Sequence, residues 1–396
     1  MELNRNFARL SSGYLFSDVG RRVAAFAEKH PDVELTRLGI GDVTLPLAEP
    51  VVQAMCRAAR EMGTPEGFHG YGPEQGYSFA RQAVQAQYAQ RGVVLLEEEI
   101  FLSDGAKSDL GGLMDLFGPH NIALVPDPGY PVYADTSVMA GHPVRFVQGT
   151  QANGFLPGPD GQTGDIVYLC SPGNPTGAVY TREGLTAWVE YALERGAVIL
   201  FDAAYESFIQ DDTLPHSIFE IEGARRCAVE IGSLSKTAGF TGTRFGYTVI
   251  PQELECQGIH LRDLWLRRQS TKCNGVSYPV QRAAQAALSE EGRAACRKAV
   301  AYYLDNAHTL RAALEGTGVF CCGGDNSPYV WMQCPGGMDS WQFFEYLLKN
   351  ARIVGTPGAG FGPGGEGYFR LTGFGERTAT RAAAERLRAA VLAAQK

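Results

Sequence analysis

Short apolar runs alternate with amphipathic stretches from about Glu97 to Ile250. Each apolar run is followed at once by a turn of small or polar residues, which predicts strands in IFLSDG, IALVPDPG, IVYLCSPG, AVILFDAAY and CAVEIGSLS. The stretches between them, such as REGLTAWVEYALERG, carry apolar residues at helical spacing and stop at a glycine. Strands that alternate with helices predict an α/β fold, with a mainly parallel sheet covered on both faces.

The pattern changes after about Tyr278. Two long helical stretches, PVQRAAQAALSEEG and RAACRKAVAYYLDNAHTLRAALEG, precede short strands near PYVWMQC and YFRLTGFG, and a last helix is predicted from about Arg377. This arrangement is typical of a smaller α+β unit. We therefore expect an N-terminal arm at 1–45 that joins a small domain, a large domain at 46–280, and the rest of the small domain at 281–396.

Composition excludes several classes of protein. The 396-residue chain has a net charge of −8, which argues against nucleic acid or an anionic membrane as a general partner. Its first residues show no secretory signal, and no apolar run approaches the ~18 residues of a membrane span. Nine cysteines without a C-x-x-C pair favour a reducing, cytoplasmic location. The seven histidines lack zinc-site spacing, so no metal site is predicted.

Polar residues that follow the predicted strands are the first candidates for a site, because ligands in open α/β sheets bind at the carboxyl ends of the strands. The turn at 105–108 opens a helix after IFL, and its backbone N–H groups could bind a phosphate. Tyr130 follows the next strand and could stack on a flat ring. Asn174 lies in the turn SPGNPTG. Each motif taken alone is also explained by ordinary turns and packing.

Two further strand ends carry charged residues. A strongly apolar strand ends at Asp202, whose buried carboxylate would be costly unless it faced a cation or a hydrogen-bond donor. Tyr205 follows three residues later. The last strand leads into SLSKTAGFTGTR at 233–244, where Lys236 is either a solvated loop lysine or a reactive amine held in a cationic pocket.

Taken together, these residues are the set that pyridoxal 5'-phosphate requires. The ring nitrogen must stay protonated, which Asp202 would ensure, and the ring oxygen needs donors such as Asn174 and Tyr205. The aldehyde needs an amine with a lowered pKa, which a cationic and partly dry pocket would favour in Lys236. The phosphate needs a helix start, hydroxyls and fixed cations, and the candidates are Ala106, Lys107, Ser233, Ser235 and Arg244.

At these motifs the chain resembles the fold-type I aminotransferases of class I and II. The form S-x-S-K-x-x-x-x-x-G-x-R matches 233–244, N-P-T-G matches 174–177, and D-x-x-Y matches 202–205. The resemblance implies a pyridoxal-phosphate-dependent transaminase with Lys236 as the catalytic residue. It also implies that Arg370, in GYFRLTGFG, binds the α-carboxylate of the substrate, a task that suits a guanidinium.

Longer stretches of the sequence indicate one particular family among these aminotransferases. Segments such as LGIGDVTLPL, GYGPEQGY, DPGYPVYADTSVMAGH and VGTPGAGFGPGGEGYFRLTGFG look like those of the LL-diaminopimelate aminotransferases. This implies transfer of the amino group of glutamate to tetrahydrodipicolinate, which yields LL-2,6-diaminopimelate and 2-oxoglutarate on a route to lysine. By the same resemblance, the substrate would contact Tyr14, Gly41, Lys107, Tyr130, Asn174, Asn274 and Arg370.

The resemblance also implies a homodimer with shared sites. Tyr71 would reach the phosphate in the neighbouring subunit, and Glu74 would face the distal ammonium of diaminopimelate there. Tyr130 and Asn274 are expected to contact the cofactor as well as the substrate. A site built from two chains requires that the enzyme act as a dimer.

Three alternatives stay open. The nearest is a related aminotransferase or C–S lyase with a different amino-acid specificity on the same scaffold. A ligand-sensing regulator with this fold would need an added DNA-binding domain, for which the N-terminal arm is too short and the chain too acidic. A Rossmann dehydrogenase is weaker still, because GAGFG follows a strand but opens no βαβ unit. We expect GAGFG to shape a loop beside the site.

Overall fold

The structure is a computed structural model that describes residues 1–10 and 15–396. Its α-helices lie at α1 (Leu15–Lys29), α2 (Glu49–Glu61), α3 (Ser78–Ala89), α4 (Ala106–Leu113), α5 (Pro131–Ala140), α6 (Arg182–Arg195), α7 (Leu234–Thr237), α8 (Leu261–Lys272), α9 (Tyr278–Leu288), α10 (Glu290–Leu314), α11 (Ser340–Asn350) and α12 (Arg377–Ala394). The predicted helix ending at a glycine is α6, and Gly196 closes it at a φ of 66°.

Strands alternate with the helices over most of the chain. They lie at β1 (Thr36–Arg37), β2 (Ile100–Ser103), β3 (Ala123–Asp127), β4 (Val144–Gln148), β5 (Ile166–Cys170), β6 (Val198–Asp202), β7 (Ala228–Ser233), β8 (Gly246–Val249), β9 (Glu255–Cys256), β10 (Ile259–His260), β11 (Cys321–Gly323), β12 (Tyr329–Gln333), β13 (Ile353–Val354), β14 (Thr356–Pro357) and β15 (Tyr368–Thr372).

The central sheet has seven strands in the order β2-β8-β7-β6-β5-β3-β4. The five predicted strands are confirmed as β2, β3, β5, β6 and β7, and all five run in one direction, whereas β8 is antiparallel to both of its neighbours. Strands β4 and β8 were not predicted from the sequence. Strand β4 lies at the sheet edge with only one buried residue, so it lacks the continuous apolar run of a central strand.

Both faces of this sheet are buried. In β5, for example, Leu169 packs in one core cluster and Tyr168 in the cluster on the opposite face. A charged residue interrupts the otherwise apolar strand β7: the Glu230 carboxylate accepts hydrogen bonds from the Tyr88 hydroxyl at 2.5 Å and the Ser217 hydroxyl at 2.6 Å. Burial raises the pKa of Glu230 to about 7.

The C-terminal part forms a second, antiparallel sheet of four strands in the order β11-β12-β15-β14. Its core cluster contains residues of α10, α11 and α12 together with Leu15 and Val19 of α1 and Leu38. Strand β1 pairs with β13, which also ties the N-terminal arm to this part of the molecule. The predicted strands near PYVWMQC and YFRLTGFG and the last helix are confirmed as β12, β15 and α12, while the boundaries at 45 and 280 stay a prediction.

None of the helices in residues 1–10 and 15–396 is long and apolar enough to cross a membrane. In the same part of the chain, His, Cys, Asp and Glu side chains form no group of three or more that could hold a metal ion.

Candidate active site

The carboxyl ends of the parallel strands meet at a cavity of about 480 Å³. It is lined by twelve of the residues singled out in the sequence: Gly41, Ala106, Lys107, Tyr130, Asn174, Asp202, Tyr205, Ser233, Ser235, Lys236, Arg244 and Arg370. The structure thus brings together residues from five strand ends, the N-terminal arm and the small sheet. Tyr14 lies outside the described residues, and Tyr71, Glu74 and Asn274 do not line the cavity of their own chain.

Lys236 lies on α7, the single helical turn that follows β7. Its ammonium donates a hydrogen bond to the carbonyl of Gly41. Burial lowers the pKa of Lys236 to about 8, and the positive charges of Arg370, Arg244 and Lys107 act in the same direction, whereas Asp42 opposes them. Lys236 is therefore a desolvated lysine that becomes a neutral, nucleophilic amine near pH 8, rather than a solvated loop lysine.

This lowered pKa predicts the pH dependence of Lys236 in the cofactor-free protein. Below about pH 8 the side chain is an unreactive ammonium, and above it the neutral amine attacks a carbonyl. Labelling with a small aldehyde and cyanoborohydride, followed by peptide mass spectrometry, should give a half-maximal rate for Lys236 near pH 8, well below the pKa of about 10.4 of an ordinary lysine.

Asp42→Asn provides a second arm of the same experiment. Because the Asp42 charge raises the pKa of Lys236, its removal should move the midpoint to lower pH. Surface lysines in the same digests serve as the internal reference. A midpoint near pH 10 for Lys236 would contradict the assignment of a desolvated amine.

Asp202 ends β6 at the floor of the cavity and is 5 % exposed. Its carboxylate accepts hydrogen bonds from the Tyr133 hydroxyl at 2.7 Å and from the backbone N–H of Ala204 at 3.0 Å. Burial nevertheless raises the pKa of Asp202, and the two donors only partly offset this. The donors are neutral, so the site favours a cationic ligand atom beside Asp202.

A tight turn at the start of α4 also borders the cavity. Gly105 caps α4 at a φ of 135°, and a Cβ there would lie 2.4 Å from a guanidinium nitrogen of Arg244. A Cβ on Gly246 would lie 2.6 Å from the Cα of Gly105. Both positions therefore require glycine. The start of α4, the Ser233 and Ser235 hydroxyls and the Arg244 guanidinium together suit a phosphate.

Arg370 lies on β15 and is 1 % exposed. It donates to the Asn174 side-chain oxygen and to the Gly39 carbonyl, each at 2.6 Å, and its buried Nε has no hydrogen-bond partner. Within the described residues no carboxylate forms an ion pair with it. A buried guanidinium without a counter-ion, facing a cavity, is suited to bind the carboxylate of a ligand.

Two tyrosines of the site were missed in the sequence. Tyr329, on β12, lines the cavity, and its hydroxyl lies 2.6 Å from that of Tyr205. Its ring lies 4.4 Å from the Arg370 guanidinium carbon. Tyr133, in the first turn of α5, also lines the cavity, and its position just after Tyr130 at the same strand end was a usable signal. Tyr329 gave no such signal, since PYVWMQC is explained as a core strand.

The residues around the cavity fit pyridoxal 5'-phosphate. Asp202 matches the protonated ring nitrogen, the turn at Gly105 with Arg244 matches the phosphate, and the desolvated amine of Lys236 matches the aldehyde. The fit depends on independent features of this structure: an uncompensated buried carboxylate, a turn too tight for a Cβ, and an amine whose pKa is about 8.

Three predicted site residues do not line this cavity: Tyr71 and Glu74, which were predicted to act across a dimer, and Asn274, which was predicted to contact substrate and cofactor. Tyr71 is 90 % exposed, and Glu74 and Asn274 are also exposed. Their two loops adjoin, because a Cβ on Gly275 would lie 3.7 Å from the carbonyl oxygen of Pro73. One chain therefore presents these side chains outward.

The segment GAGFG does not open a βαβ unit. Gly358–Phe361 forms a 3₁₀ turn after β14, and the Phe361 ring lies 4.8 Å from the guanidinium carbon of Arg370. This confirms the expectation of a loop beside the site and leaves no dinucleotide-binding turn at this position.

Comparisons with known proteins agree with this geometry. The model of the family "aminotransferase class I and II" matches residues 33–387. The chain is 48 % identical to an LL-diaminopimelate aminotransferase of Agathobacter rectalis and 48 % identical to one of Lachnospira eligens, each time over 98 % of this chain and 99 % of the relative.

A solved structure is similar over the same length. The L,L-diaminopimelate aminotransferase of Chlamydomonas reinhardtii superposes with a TM-score of 0.94 at 39 % identity, and the match covers 99 % of each chain. The expected fold-type I architecture is thereby confirmed. The chain belongs to the class I and II aminotransferase family.

Proposed function

We propose that this chain is an LL-diaminopimelate aminotransferase. The reaction moves the amino group of glutamate to tetrahydrodipicolinate and yields LL-2,6-diaminopimelate and 2-oxoglutarate. The observation that carries the proposal is the cavity in which Lys236, Asp202 and Arg370 converge, in a chain that matches the LL-diaminopimelate aminotransferases named above over nearly its whole length.

Pyridoxal 5'-phosphate, when bound, supplies the electron sink that stabilises the charge left on the α-carbon after its proton is removed. Asp202 would keep the ring nitrogen protonated, Asn174 and Tyr205 would donate to the ring oxygen, and Tyr130 would contact the ring. The phosphate would be held by residues that line the same cavity: Ala106, Lys107, Ser233, Ser235 and Arg244. These assignments support tight binding and a fixed ring orientation.

Arg370 and Lys236 have separate roles toward the substrate. Arg370, oriented by Asn174, binds the α-carboxylate and so places the α-proton within reach of Lys236. Lys236 would hold the aldehyde of the cofactor, and its amine moves the α-proton of the substrate as general base and acid. Its hydrogen bond to Gly41 holds the amine beside the cavity rather than in solvent.

Tyr133 is proposed as the residue that maintains the charge of Asp202. In Tyr133→Phe the carboxylate loses its hydroxyl donor, so its pKa should rise further and its hold on the ring nitrogen should weaken. We expect kcat to fall about tenfold, the size of one hydrogen bond to a charged acceptor, with little change in KM. Steady-state rates with glutamate measure this.

Tyr168→Phe is the matched control for that variant. The Tyr168 ring stacks on Tyr133 at 4.9 Å, but its hydroxyl contacts Ser137 and Met114 rather than Asp202. Its kcat should stay near that of the wild type. Equal losses in both variants would mean that Tyr133 acts only through packing.

We further propose that the enzyme is a cytoplasmic homodimer with shared sites. Support for the dimer comes from Tyr71, Glu74 and Asn274, which lie exposed in neighbouring loops and are available to a second copy. In this arrangement Tyr71 would contact the phosphate and Glu74 the distal ammonium in the neighbouring subunit, and Asn274 would contact the cofactor and substrate. The nine cysteines are all free, which suits a reducing compartment.

Half-reaction spectra test the substrate. The cofactor-loaded enzyme is mixed in turn with glutamate, LL-diaminopimelate, meso-diaminopimelate, tyrosine and cystathionine, and the change of the bound cofactor to its amine form is followed by absorbance. Conversion by glutamate and LL-diaminopimelate is expected. Conversion by tyrosine or cystathionine in preference to LL-diaminopimelate would favour the related aminotransferase or the C–S lyase instead.

Glu74→Ala should discriminate between the two proposed substrates. Glutamate has no distal ammonium, so its half-reaction should change little, whereas that of LL-diaminopimelate should slow by about tenfold through the loss of one charged contact. Glu66→Ala, another exposed carboxylate before this loop, is the control. Equal losses with both substrates would refute the distal-ammonium role.

Mixing two variants tests the shared site. In a hybrid of Lys236→Ala and Glu74→Ala chains, one site carries both lesions and the other site carries neither. Unfolding and refolding the mixture should therefore restore LL-diaminopimelate turnover above that of either variant alone. No restoration would mean that Glu74 acts in its own chain.

A further inference from the structure

Asp127, the last residue of β3, is a buried carboxylate outside the cavity. It is 1 % exposed; Oδ1 accepts the backbone N–H of Gly364 at 2.8 Å, and Oδ2 accepts the side-chain amide of Gln148 at 3.0 Å. Both donors are neutral. Burial disfavours the charged carboxylate and raises the pKa of Asp127. The structural importance of Asp127 lies in the two segments that these hydrogen bonds connect.

The principal donor belongs to the glycine-rich loop at 358–367, which joins β14 to β15 of the small sheet. The loop packs closely on the carboxylate: a Cβ on Gly362 would lie 2.3 Å from Oδ1 of Asp127. A second bond runs beside it, from the backbone N–H of Gly129 to the carbonyl of Phe361 at 2.8 Å. The turn after β3 and the glycine-rich loop are therefore joined at two points.

Each of the two segments carries a residue of the site. The turn after β3 continues into Tyr130, which lines the cavity. The loop carries Phe361, whose ring lies 4.8 Å from the Arg370 guanidinium carbon, and it leads directly into β15, on which Arg370 lies. A shift of the loop would therefore move both the ring that packs on Arg370 and the strand that carries it.

We propose that Asp127 is a positioning residue for substrate binding, which fixes the glycine-rich loop against the turn after β3 and so holds Phe361 and Arg370 where Arg370 binds the substrate carboxylate. The proposal rests on the proposed function for the role of Arg370. Asp127 itself does not line the cavity, so it acts through these residues.

Asp127→Ala and Asp127→Asn separate the hydrogen bond from the charge. The alanine variant loses the acceptor for Gly364, and KM for glutamate and for 2-oxoglutarate should rise about tenfold while kcat changes less. Asparagine keeps a side-chain oxygen for Gly364, and the Gln148 amide can turn to meet its nitrogen, so KM should return to within about twofold of the wild type. The exposed Asp160→Ala is the control.

Hydrogen exchange of the substrate-free holoenzyme gives a readout that needs no turnover. Amides of the glycine-rich loop should exchange faster in Asp127→Ala than in the wild type or in Asp127→Asn. If the alanine variant folds poorly, Gly364→Ala probes the same contact, because its Cβ would lie 3.0 Å from Asp127 Oδ1 and push the loop away.

Two results would overturn the proposal: unchanged loop exchange in Asp127→Ala, or an asparagine variant with as large a rise in KM as alanine. The second result would mean that the charge acts rather than the bond. Failure of the proposed function would give a different result. The wild type would then not convert glutamate, but the glycine-rich loop would still exchange faster in Asp127→Ala than in the wild type.

Discussion

Lys236→Ala is expected to abolish transamination. General acid–base catalysis contributes about 10²–10⁴-fold, and this variant also loses the amine that binds the aldehyde, so we expect a loss of at least about 10⁴-fold in the glutamate half-reaction. The near-visible absorbance of cofactor bound through the lysine should disappear with it. Stopped-flow spectra of the reconstituted variant measure both effects.

Lys236→Arg separates the charge of the residue from its amine. The guanidinium keeps a positive charge in the cavity but stays protonated, so it cannot act as the base, and we expect the same loss. Lys349→Ala, an exposed lysine of α11, is the control and should leave the rate unchanged. Normal turnover in a chain that lacks Lys236 would remove the basis of the assignment.

Arg370→Lys is expected to lower kcat/KM for glutamate by about 10²–10³-fold, because truncating one partner of a buried, hydrogen-bonded charge pair costs about 2–5 kcal/mol. A lysine keeps the charge but cannot make the paired contact with a carboxylate, nor bond Asn174 and Gly39 in the same geometry. Most of the loss should appear in KM. Titration with pyridoxal 5'-phosphate should show nearly unchanged cofactor binding.

Arg377→Lys is the matched control for this variant. Arg377 pairs with Asp305 at 3.0 Å near the start of α12 and is partly exposed, so its replacement removes an arginine without touching the cavity. An Arg370→Lys enzyme with the KM of the wild type would mean that another group binds the α-carboxylate.

Much of the site could be predicted because its residues follow strands at fixed short distances. Asp202 and Lys236 stand at or just after the ends of continuous apolar runs, and the order of the strands then places them at one edge of the sheet. No tertiary contact had to be known for this. The same reasoning from strand ends predicted the turn at Gly105, which precedes α4.

The missed features depend on contacts between distant parts of the chain. The Tyr133 hydroxyl meets Asp202 across 69 residues, and that of Tyr329 meets Tyr205 across 124 residues. A tyrosine in a buried helix or strand looks the same in the sequence whether its hydroxyl faces a cavity or the core. The strand β8, which is antiparallel to both neighbours, was also not predicted. Its four residues begin just after the long motif at 233–244, so no separate apolar run marks it.

The contrast between the tight turn at Gly105 and the exposed loops of Tyr71 and Asn274 has a consequence for protein engineering. A Cβ on Gly105 would displace Arg244, and one on Gly246 would clash with Gly105, so few substitutions there leave this side of the cavity intact. Substitutions at exposed side chains usually change the free energy of unfolding by less than about 0.5 kcal/mol. New substrate ranges should therefore be sought by varying Glu74 in these loops, with Tyr71, Asn274 and the turn at Gly105 left unchanged.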